Sequence, residues 1–219
     1  MSDPTPIERP LITTPRAAAI AGIVFSLLLT LALVMIRLAI PDGGQGGEWL
    51  TDPAKLRAVG IAINLVPFAG IAFLWFIGVI RDRIGEHEDR FFATVMLGSG
   101  LLFVAMLFVS AAVATALRLE VSSLGGTPPR SDWFAIDARI TSLVLNVYAM
   151  RMAAVFTISV ATISMRTGVI PKWLAYSGYA SAVVLLVSFS ISPWAQLLFP
   201  LWILLLSVHI LRRSWRAIT

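Results

Sequence analysis

The chain contains no cysteine, which excludes disulfides, thiolate nucleophiles and cysteine-ligated metal sites. It has only two histidines, His87 and His209, and neither has a partner at metal-ligand spacing. His87 lies between Glu86 and Glu88 in a charged turn, where three adjacent side chains cannot converge on one ion. HExxH, the phosphate-binding GxxxxGK[ST] loop and the dinucleotide glycine fingerprint are all missing. Neither a metal nor any other cofactor is expected. Lysine is scarce as well: Lys55 and Lys172 stand against fifteen arginines.

The absence that carries most information is of acid within the apolar segments. Six long runs at 17–36, 58–80, 91–117, 140–165, 173–191 and 194–211 hold no aspartate or glutamate. A helix needs about 20 apolar residues to cross a hydrocarbon core of about 30 Å, and most of these runs reach that length. The hydrophobic fraction is 58% and the mean hydropathy +0.87. Lipid leaves only helices or closed barrels as spanning structures. Barrel strands alternate with a period of two over about ten residues, whereas these runs are apolar on every face. The fold class expected is therefore all-α: a polytopic membrane protein built as a bundle of six transmembrane helices.

Basic residues give the orientation. Ten Lys and Arg fall on the side of the two termini and six on the other, so both termini are expected in the cytoplasm. Residues 1–16 then form a cytoplasmic N-terminal segment, 17–211 the six-helix domain and 212–219 a basic cytoplasmic tail. The first run is too long for a signal-peptide core and lacks a small-residue cleavage pattern. Thr14 and Pro15 suit a helix start. Gly43-Gly44-Gln45-Gly46-Gly47 reads as a flexible loop. Ser131 or Asp132 is a plausible N-cap for a fourth helix beginning before its apolar core. Ser192-Pro193 separates the last two runs. Trp173, Trp194 and Trp215 read as anchors at the membrane–water boundary. The arginine-rich, alanine- and leucine-rich composition points to a bacterial cytoplasmic membrane. The net charge of +5 reports topology, and no nucleic-acid partner is expected.

Arg151 is the strongest candidate for chemistry, because it stands about 16 Å into the fourth run at 1.5 Å per residue. With no intramembrane carboxylate available, its partners must be carbonyls, hydroxyls, amides, water, a lipid phosphate or an anionic ligand. Pro67 lacks an N–H and frees the carbonyl of Ile63; Asn64 is beside that gap. Asn146 and Tyr148 share the helix of Arg151. These four residues, Arg151, Asn64, Asn146 and Tyr148, form the expected polar ligand site. The alternative is that Arg151 only ties the second and fourth helices together. Pro67 and Pro200 are the expected helix kinks.

The segment Leu97-Gly98-Ser99-Gly100, with His209, resembles the serine turn and distant histidine of rhomboid-type intramembrane proteases. That resemblance would imply a Ser99–His209 dyad in a six-helix core. The chain departs from the pattern at Leu97 and in carrying the serine on its third helix. Small residues that allow close helix approach explain Gly98, Ser99 and Gly100 more simply. Three functions follow in order: a non-enzymatic lipid-binding or accessory subunit; a small transporter or channel subunit with an anion site at Arg151; an intramembrane hydrolase. The partners expected are membrane lipids and a further membrane protein or second copy of the chain.

Overall fold

The computed structural model describes residues 14–40, 52–84, 90–123, 132–168, 170–187 and 192–216. The glycine-rich stretch at 43–47, the turn holding His87, the cap candidate Ser131 and both chain ends lie outside the described residues. Among the described residues every regular element is helical. They are α1 (Thr14–Ala39), α2 (Pro53–Ile84), α3 (Arg90–Ser123), α4 (Asp132–Leu143), α5 (Met150–Arg166), α6 (Lys172–Val187) and α7 (Leu198–Arg216). A π-helical segment, Val144–Ala149, joins α4 to α5, and a 3-10 turn, Pro193–Leu197, leads into α7. Five of the resulting helical stretches are long and apolar enough to cross a membrane, and α6 is a shorter apolar helix.

The helices run past the apolar segments that announced them. The second begins at Pro53 and not at 58, because Asp52 caps it: Asp52 Oδ1 accepts from the backbone N–H of Ala54 at 2.9 Å and of Lys55 at 3.4 Å. Proline at the first helical position costs no hydrogen bond there. The fourth begins at Asp132, ahead of its apolar core at 140, the start its cap candidates implied. The last opens as a 3-10 turn, where Ser192 Oγ accepts from the N–H of Trp194 at 3.3 Å. At the far end of α5, Gly168 adopts φ +66°, the left-handed conformation that ends a helix and suits glycine.

Packing closes the helices into a ring in chain order. Each packs on its sequence neighbours, the α4–π–α5 span sits between α3 and α6, and α7 returns to α1. The Arg16 guanidinium lies over the Trp215 ring at 5.6 Å, and that of Arg166 over Phe92 at 4.8 Å. The start of α1 and the end of α7 therefore meet at one end of the bundle.

The middle of the ring is filled by phenylalanine. Phe25 of α1, Phe73 and Phe76 of α2, Phe103 of α3, Phe156 of α5 and Phe199 of α7 are all fully buried. Phe73 is the hub, with ring centroids 4.5–6.0 Å from the other five. Such tilted and edge-on pairs add about 0.5–1.5 kcal/mol each beyond their area. The sixth helix joins through α7. Trp202 Nε1 donates to the Leu174 carbonyl at 3.1 Å, and the indole lies so close over Gly178 that a Cβ there would meet it at 2.8 Å.

Candidate functional site

On the side of the phenylalanine cluster away from the Arg16–Trp215 contact, the ring is not fully packed. A cavity of about 150 Å³ lies there. Its walls are the last turns of α1, the first half of α2, the last half of α3 and the α4–π junction. Leu29, Leu33 and Ile36 of α1 face Ile63 and Val66 of α2, with Leu107 and Ala111 of α3 between. One helical turn from the lining Leu29 and Leu107 stand the buried Phe25 and Phe103. From Leu29 to Arg37 the wall is about 12 Å deep at 1.5 Å per residue.

The mouth of this apolar space is polar. Arg37 Nη2 donates to Asn146 Oδ1 at 3.4 Å, and Asn146 Nδ2 donates to Ser142 Oγ at 2.8 Å. A guanidinium carries five N–H donors, and the bond to Asn146 uses one of those of Arg37. Its place in the last turn of α1 puts the cation at the negative end of that helix. Ser110 Oγ donates to the Thr141 carbonyl at 3.1 Å, whereas the buried Thr141 Oγ1 has no partner among the described residues. Gln196, only 4% exposed, also lines the space.

Asn146 reaches this rim from the π-helical segment. Along the fourth span the exposed stripe runs Ile136, Ile140, Leu143 and then Tyr148. The last step is five residues, the i→i+5 spacing of a π-helical hydrogen bond. A π segment inserts one residue into the helical register, and such bulges recur at functional sites.

The four residues expected to form one site are dispersed. Asn146 lines the cavity. Arg151, Tyr148 and Asn64 have exposed side chains and are not part of its lining. Arg151 therefore sits on the outer face of the span Ile136–Arg166, where a charge in hydrocarbon costs about 2.5–3.5 kcal/mol or more. Pro67 is inside the continuous helix α2 and its carbonyl-bearing neighbour Ile63 lines the cavity. Pro200 falls in the first turn of α7, where a missing N–H disturbs the helix least. Ser99 Oγ donates to its own helix, to the Val95 carbonyl at 2.7 Å and that of Met96 at 3.2 Å. No hydrogen bond joins it to His209.

In the sequence Arg37 is one of several charges at membrane borders, and Gln196 stands four residues before Pro200, whose missing N–H frees its carbonyl. Both sit at the edge of an apolar run, where a polar residue carries no signal of facing inward. No family model matches the chain, and neither a curated protein nor a solved structure matches it.

Proposed function

We propose that the protein is a non-enzymatic, multi-pass protein of the bacterial cytoplasmic membrane that binds a single-chain anionic amphiphile. The apolar end occupies the cavity toward Phe25 and Phe103, and the anionic head meets Arg37. One observation carries this reading: a narrow apolar cavity whose lining also gathers the polar side chains of Arg37, Asn146 and Gln196. A cavity of about 150 Å³ accommodates a ligand of benzene size, so it takes one narrow chain and not a whole bilayer lipid. The head is a carboxylate or a phosphate, since a guanidinium serves both.

Six spans with cytoplasmic termini are part of the proposal. The contact of Arg16 with Trp215 supports an even number of passes, with α6 as the thin one at about 24 Å. The excess of basic residues at that end supports its cytoplasmic side. The cavity then opens toward the outer leaflet.

The test is thermal unfolding of the full chain in nanodiscs of zwitterionic lipid. Decanoate and decyl phosphate should each raise Tm saturably, by the equivalent of about 2.7 kcal/mol at one hundred times Kd. Decanol and decyltrimethylammonium should not. Comparing the two anions separates a carboxylate ligand from a phosphate one. Arg37→Gln should abolish both responses with little change in Tm, because its bond to Asn146 is long. Equal responses to the cation and the anions would overturn the reading.

A transporter remains the second reading, carried by the π segment and Pro67 flanking the cavity, both places where a helix bends. The phenylalanine cluster closes the ring axis beneath, so transport would require those six rings to part. Flux of decanoate across proteoliposomes, dependent on Arg37, would favour it over simple binding.

A further inference from the structure

Arg151 is the centre of the span Ile136–Arg166, with fifteen residues on either side. At 1.5 Å per residue it is roughly 22 Å from each end. Its side chain is exposed, as is Tyr148 one turn earlier at 57%. Intramembrane charges normally face a bundle interior or a water-filled space and pair there. This one faces out from a span whose packed sides are turned to α3 and α6. Around it the exposed stripe is otherwise apolar, with Leu143 and Ile140 further along.

Three kinds of occupant could cover this face, and charge separates them. A lipid phosphate lies at the edge of a hydrocarbon core about 30 Å thick, beyond the reach of an arginine at its centre. A second copy brings no carboxylate, because none occurs in the six apolar runs. A twofold interface centred here would also oppose two guanidinium groups. A different protein with an acidic side chain at the same depth satisfies the charge directly.

We propose that the Tyr148–Arg151 face docks a transmembrane helix of another protein, carrying an aspartate or glutamate at mid-depth that pairs with Arg151. The pair is bidentate in capacity, since a guanidinium fork matches a carboxylate, and the surrounding apolar stripe packs the two helices. Tyr148 offers a hydroxyl beside the pair. This interface is independent of the amphiphile cavity, which none of these side chains lines.

The test is photocrosslinking of the full chain in the membranes of its own host, with a photoreactive residue at position 148 or, as control, at the exposed Phe68 of α2. The expected result is one protein adduct from position 148 and not from 68, whose linked membrane helix bears an aspartate or glutamate. Arg151→Leu should reduce the adduct at least tenfold without lowering Tm of the isolated chain, because the side chain is exposed. Arg151→Lys, which keeps the charge, should retain it. Exchanging the charges, Arg151→Asp here with arginine in place of the partner's carboxylate, should restore the adduct. An adduct with a second copy, with lipid alone, or with a helix lacking an acid would overturn the proposal. So would an adduct indifferent to Arg151→Leu.

Discussion

Ala111 lies on the α3 wall of the cavity, and Ala111→Leu should stabilise the protein while removing its ligand. Between lipid and a protein core the transfer of apolar surface contributes little, so packing decides the balance. Space unfilled by protein costs about 24 cal/mol per Å³. Were the 150 Å³ cavity sealed and empty that would amount to about 3.6 kcal/mol, an upper bound for a space open at its mouth. Leucine adds three carbon atoms and fills roughly half of it, recovering about 1–2 kcal/mol after some rotamer strain. For a chain of this size the gain corresponds to a rise in Tm of roughly 2–8 °C. The assay is thermal unfolding of both proteins in zwitterionic nanodiscs, with and without decanoate. Wild type should respond to decanoate, and the variant should start higher and stay there. A variant that melts lower and still responds would refute the argument, because leucine would then be overpacking a wall that the ligand does not touch.

Three further outcomes follow from the packing. Gly178→Ala should destabilise by about 1–3 kcal/mol, since its Cβ would press on the rigid Trp202 indole; thermal unfolding measures it. Gly98→Ala, with nothing within 4 Å of the new atom, should instead stabilise by roughly 0.5–1 kcal/mol through helix propensity. Phe73→Ala removes the hub of the aromatic cluster and should cost about 3–5 kcal/mol, seen as a lower Tm or loss of folded protein on extraction.

The helical bundle was legible because its signal is collective. Twenty consecutive apolar residues have few physical alternatives in lipid, and no single position needs to be read correctly. Helix ends were less legible, since Asp52 and Pro53 start α2 by capping chemistry outside the apolar run. The site was hardest. The stretch 132–167 contains neither proline nor glycine, so nothing in it marks the π segment that carries Asn146. Arg151 stood out by depth alone, but depth does not reveal which way a side chain faces. Arg37 faces the cavity from a border position where arginine is ordinary. Which of two polar residues turns inward is decided by ring closure between α1 and α7, a long-range property that local sequence does not hold.

Native mass spectrometry of the full chain, released gently from its own membrane, tests the central claim most directly. The account predicts that wild type retains one anionic amphiphile per chain and that Arg37→Gln, equally folded, does not. Identical retained molecules on both proteins, or retention lost with Arg151→Leu and kept with Arg37→Gln, would contradict it.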